Sequence, residues 1–92
     1  GVQNKRNFYW LLRYFQQELS SSTDDSFRTP AMVLTLGDDW VLFHIDEFEK
    51  SYRWSQNPSG LKAGQSCECV IRGVDLFARE MTGNLEPLSE QQ

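Results

Sequence analysis

The sequence has little that could carry chemistry of its own. It holds one histidine, His44, and two cysteines, Cys67 and Cys69. A structural zinc takes four ligands, so this set does not make a closed site. Cys67 and Cys69 stand two apart. On a strand they would share a face, and an i, i+2 pair is badly placed for an unstrained disulfide. We read both as reduced, core-facing thiols, which points to an intracellular, reducing compartment, cytoplasm or organelle. No apolar run approaches the roughly 20 residues that cross a bilayer, and no signal-peptide layout is present, so no membrane partner is expected. The chain opens with Gly-Val rather than Met and is read as an excised domain or a processed product.

What is present suits one small domain. There are 92 residues, 39% apolar and 24% charged, a globular composition on a chain that buries only a modest share of its surface. The net charge of −4 is uneven. Residues 1–19 carry Lys5, Arg6 and Arg13 against Glu18, for +2, and residues 20–92 carry six basic and twelve acidic side chains, for −6. Binding to a polyanion is driven largely by Lys and Arg displacing counterions. An acidic body therefore argues against strong autonomous nucleic-acid binding and leaves room for a local basic patch.

Residues 3–19 read as a helix, because Phe8, Leu11, Leu12, Phe15 and Leu19 repeat at helical period. Trp10 and Tyr14 form a second i, i+4 pair on the flank, with Arg13 beside them. A helix this apolar suggests packing on two sides. Residues 20–30, SSSTDDSFRTP, read as a linker. After Pro30 the pattern becomes that of strands. AMVLTL (31–36), the turn GDD (37–39) and WVLFHI (40–45) predict a hairpin. In residues 46–54, a turn followed by a strand sharing Phe48, Lys50, Tyr52 and Trp54 on one face competes with a single helical turn. SQNPSG (55–60) is a loop. In residues 64–75, Cys67, Cys69 and Ile71 alternate with Glu68, Val70 and Arg72, a strand with one inward face. A turn at 76–79, a closing strand in 80–88 and a frayed tail at 89–92 complete the chain. One helix followed by short strands with glycine-bearing turns predicts a mainly β fold, a small OB-like barrel over 31–88 preceded by an amphipathic helix.

FYWLLRYF (8–15), TPAMVLTL (29–36) and GLKAGQSCECVIRGVDLFAREMTGNL (60–85) together resemble the C-terminal end of ribonuclease II and ribonuclease R type exoribonucleases, the RNB family. There a helix closes the catalytic domain, a polar linker follows, and an RNA-binding OB barrel ends the chain. The resemblance implies that residues 1–19 end an upstream domain. It implies that Cys67, Cys69, Ile71 and Val74 fill apolar barrel positions, with Val74-Asp75 as the family's Val-Asp pair. It implies a module that holds single-stranded RNA, weakly alone, for the catalytic domain of a parent 3'-5' exoribonuclease. The family's magnesium-binding aspartates would lie in that domain. No counterpart is found here, so no cofactor and no catalytic residue are expected in this chain.

OB barrels grip single strands by stacking bases on aromatic rings while basic side chains track the phosphates. On that logic the RNA-binding candidates are Lys50, Tyr52, Arg53 and Trp54, extended by Lys62 and Arg72. A small barrel also needs large side chains to fill it, which favours Phe48 as core and leaves Tyr52 and Trp54 open to either role. Arg79 and the other scattered cations read as ordinary surface charge. The carboxylate pairs Asp24-Asp25, Asp38-Asp39 and Asp46-Glu47 fall in turns, where Asp bonds the local backbone. Trp10, Arg13 and Tyr14 are candidates for packing against a neighbouring domain. The alternative to an RNA-holding role is a protein-interaction or interdomain packing module, favoured by the acidic body and the over-apolar helix.

Overall fold

The computed structural model of the chain describes residues 2–58 and 60–88. One helix, α1 (Val2–Ser21), precedes five strands: β1 (Phe27–Leu36), β2 (Val41–Ile45), β3 (Lys50–Trp54), β4 (Ser66–Asp75) and β5 (Glu80–Pro87). The strands are antiparallel, run in the order β3-β2-β1-β4-β5, and make a strongly curled half-barrel sheet. The mainly β class expected from the sequence holds. Among the described residues no helix is long and apolar enough to cross a membrane. The expected tail at 89–92 lies outside the described residues.

Two compact units divide the chain, one of residues 1–28 and 70–83, the other of residues 29–69 and 84–92. In the first, α1 buries Leu11, Leu12 and Phe15 and leaves Trp10 and Tyr14 exposed. The central part of the expected stripe is thus the packed face, while Phe8 and Leu19 are half-buried. Beyond the helix the Ser22 and Ser26 hydroxyls both donate to the Asp24 carboxylate, at 2.7 and 3.0 Å. These bonds hold the Asp24 carboxyl below its ordinary range, since they favour the charged form. The five residues 22–26 therefore suffice as the connection.

The linker is shorter than residues 20–30, because β1 begins at Phe27, ahead of Pro30. Phe27 is drawn into the packing of α1, with its ring 5.4 Å from Phe15 and 5.9 Å edge-on from Tyr14. Pro30 is compatible with this course. It disfavours helix at Thr29, and the ladder with β2 starts one residue later, at Ala31↔Ile45. The helix shares its compact unit with residues 70–83. In that stretch Val70, Ile71 and Met81 are buried, and Ala78 N donates to Asp75 Oδ1 at 3.0 Å across the β4–β5 turn. Gly83 (φ +159°) lies so close to Val70 that a Cβ there would overlap the Val70 carbonyl oxygen.

In the second unit the pairings Val41↔Trp54, Phe43↔Tyr52 and Ile45↔Lys50 register β2 with β3. The register of β1 with β2 shifts between Val33 and Thr35, a bulge that leaves Leu34 exposed. On the other side Val33 N donates to Gln65 O at 2.9 Å and Gly64 N to Val33 O at 2.7 Å. Both readings of residues 46–54 are realised in part: a 3-10 turn at Asp46–Phe48, Glu49 left-handed at φ 52°, then β3. Ala31, Val33, Val41, Phe43, Ile45, Trp54, Leu61, Cys67, Cys69 and Leu85 are buried. Both cysteines are free thiols. Burial pushes the Cys67 thiol up to about 11, and deeper burial raises Cys69 further, so neither is a thiolate nucleophile near neutral pH.

Two positions test this packing. Thr29 Oγ1 is a buried hydroxyl with no hydrogen-bond partner among the described residues. Thr29→Val removes the unpaired group at constant shape and is expected to raise stability by about 1 kcal/mol, read as a higher urea midpoint at constant slope. Gly83→Ala forces the Cβ against the Val70 carbonyl and is expected to lower stability by about 2 kcal/mol or more, read in the same titration.

Candidate functional site

The residues expected to hold RNA differ in exposure and are divided between the two compact units. On β3, Lys50 and Tyr52 are half-buried, Ser51 and Arg53 are exposed, and Trp54 is buried. Alternation along the strand puts Lys50, Tyr52 and Trp54 on one face and Arg53 on the other. Lys62 is exposed in the turn ahead of β4. Arg72 is exposed on β4 within the other compact unit. Phe48 is half-buried and sits on the 3-10 turn, so it does not extend the β3 face.

Trp54 takes the core role, one of the two that the sequence left open to it. At 7% exposure, with its ring 4.8 Å from Phe43 and 6.1 Å from Tyr52, it fills the core and has no free face for a base. The cause is register. Trp54 pairs with Val41 and Tyr52 with Phe43, so Trp54 meets Phe43 on the diagonal, which is within reach of an aromatic side chain. A small unit uses its largest side chains to exclude water. Arg53 instead lies over Trp40, 4.9 Å from the ring centroid, a cation–π pair on a half-buried ring.

Exposed aromatics lie instead in the unit that contains α1. Trp10 is 57% exposed, Tyr14 41%, and Phe77, in the β4–β5 turn, 96%. The Arg13 guanidinium sits over Trp10 at 5.1 Å. Tyr9 meets Trp10 edge-on, centroids 5.9 Å apart. The Arg79 guanidinium sits over Tyr9 at 5.1 Å. Arg79, Tyr9, Trp10 and Arg13 thus form a continuous run of two rings closed at each end by a guanidinium. The sequence marked Trp10, Arg13 and Tyr14 but not Tyr9, Phe77 or Arg79. Phe77 carried a signal, an aromatic inside a turn that has no strand face to fill. Arg79 carried none, since its approach to a helix 70 residues earlier exists only in the fold.

Charge follows the same division. The unit of residues 1–28 and 70–83 has six basic residues against five acidic, +1. The unit of residues 29–69 and 84–92 has Lys50, Arg53 and Lys62 against eight acidic residues, −5. The β3 candidates therefore stand in the acidic unit.

His44 Nδ1 lies 3.4 Å from Asp46 Oδ1, both partly exposed, a local pair without a nucleophile. Asp38 and Asp39 are exposed in the β1–β2 turn, which is closed by Gly37 N donating to Trp40 O at 2.9 Å and by Asn57 Nδ2 donating to Gly37 O. Among the described residues no three His, Cys, Asp or Glu side chains gather as metal ligands. Comparison of the chain with family models, with curated proteins and with solved structures finds no match.

If Trp54 is core, Trp54→Ala is expected to cost about 3–5 kcal/mol of stability, and Trp54→Phe much less, both read by chemical denaturation. Wild-type stability for Trp54→Ala would return the ring to the surface.

Proposed function

We propose that the chain is a protein-interaction module that offers the aromatic flank of α1 and the β4–β5 turn to a partner, and that it has little affinity for nucleic acid. The observation that carries this reading is an exchange of roles between rings. Trp54, the ring needed on the β3 face for stacking, is buried, while Trp10, Tyr14 and Phe77 are exposed. Trp, Tyr and Arg are the side chains that dominate binding energy at protein interfaces, and this flank brings them together. The charge of −5 on the unit bearing Lys50, Tyr52 and Arg53 opposes the counterion-release term that drives polyanion binding. Interdomain packing by Trp10, Arg13 and Tyr14, the role first suggested for them, is one form of the same function. No reaction is assigned to the chain.

A second reading keeps the RNA-holding role implied by the likeness to the RNB exoribonucleases. It is favoured by the Arg53–Trp40 pair on one face of an edge strand and half-buried Lys50 and Tyr52 on the other. Its site would be smaller than the sequence suggested, Lys50, Tyr52, Arg53 and Trp40, without Trp54.

Titration of a fluorescently labelled single-stranded oligoribonucleotide at low and high salt separates the two. We expect no saturable binding up to high micromolar protein, even in low salt. Salt-sensitive binding that weakens in Arg53→Ala or Lys50→Ala would overturn the interaction reading in favour of the second.

A further inference from the structure

The run Arg79–Tyr9–Trp10–Arg13 lies wholly within one compact unit. Each guanidinium lies over a ring, with its carbon 5.1 Å from the ring centroid. Neither Arg13 nor Arg79 has a carboxylate partner among the described residues. Each is a planar donor fork beside a ring, with no carboxylate of the described residues paired to it. Tyr14 follows Trp10 by one helical turn, and Phe77 lies two residues before Arg79. Two cationic forks with exposed rings between and beside them call for a ligand that is anionic at separated points and apolar between them.

Two kinds of macromolecule carry such charge. A nucleic acid gains affinity with every phosphate neutralised. Two guanidiniums offer few such contacts. A peptide needs only one carboxylate per fork, because Arg binds carboxylate bidentately, and its apolar side chains cover Trp10, Tyr14 and Phe77. Resting on the interaction reading above, we propose that this Arg–aromatic run is the docking surface for a peptide segment of a partner protein in which acidic and apolar residues alternate.

The test uses the full chain and a labelled peptide of about a dozen residues repeating Glu-Leu-Glu-Phe, followed by fluorescence anisotropy and by the Trp indole N–H signals in nitrogen–proton spectra. The expected result is saturable binding that shifts the Trp10 signal and leaves that of buried Trp54 in place. Arg13→Gln and Arg79→Gln are each expected to weaken it about tenfold, the loss of one charge-assisted pair, and Trp10→Ala at least as much. All three side chains are on the surface, so each variant is expected to keep the wild-type unfolding midpoint within error, which separates lost binding from lost fold. Equal binding of the peptide with Gln in place of Glu overturns the proposal and leaves the interaction reading standing. Absence of binding up to millimolar peptide overturns the proposal alone. Binding of an oligouridylate that is lost in Arg13→Gln and Arg79→Gln overturns both. Self-association of the chain that disappears in Trp10→Ala overturns the proposal in favour of a second copy as the occupant.

Discussion

The packing of Trp54 on Phe43, 4.8 Å between centroids, is the contact on which the reading of this protein turns. It locks β3 to β2 in a register where Tyr52 faces Phe43 and Trp54 faces Val41. It supplies the volume that a unit with short strands cannot draw from aliphatic side chains alone. It also consumes the ring that a single-strand binding face would need. Because packing and stacking compete for the same aromatic surface, a small β unit has few rings to spare for ligands. Here core formation takes Phe43 and Trp54 and leaves Tyr52 half-covered.

The unit built around α1 shows the opposite economy. Leu11, Leu12 and Phe15 complete its packed stripe, and Phe27 joins them at the entry to β1. Trp10 and Tyr14 fall outside that stripe by about a third of a turn, as helical period requires for i−1 neighbours of Leu11 and Phe15. Tyr14 still meets Phe27 edge-on, but both rings remain substantially in water. Arg13 and Arg79 partly cover Trp10 and Tyr9 while keeping their own charge hydrated. Such covering tolerates the exposed rings in the free chain and can be displaced or completed by a partner.

Much of the architecture was legible in the residues. Period 3.6 in 8–19 and period 2 in 66–71 reflect burial on one face, which neighbours in sequence report directly. Hence α1, the β1–β2 hairpin, the β4–β5 turn and the inward thiols could be read without coordinates. The start of β1 was hidden because Phe27 sits among Ser, Thr and Asp, and only its contact with Phe15 and Tyr14 reveals why the strand begins there. The candidate site was legible by halves. Trp10, Arg13 and Tyr14 stood out as an aromatic flank, but Arg79 and Tyr9 become neighbours only through folding.

By itself, then, the sequence determined the local periods, the turn chemistry, the inert cysteines and the skew of charge, all of which depend on residues close along the chain. Tertiary structure alone decided which aromatic faces water. Tyr52, Trp54, Trp10 and Phe77 are chemically similar. Their fates diverge because strand register places Trp54 against Phe43, helix phase turns Trp10 outward, and the β4–β5 turn carries Phe77 beyond any packing partner at 96% exposure. Register and phase are fixed by the lowest free energy of the whole packed unit, and no single residue encodes them.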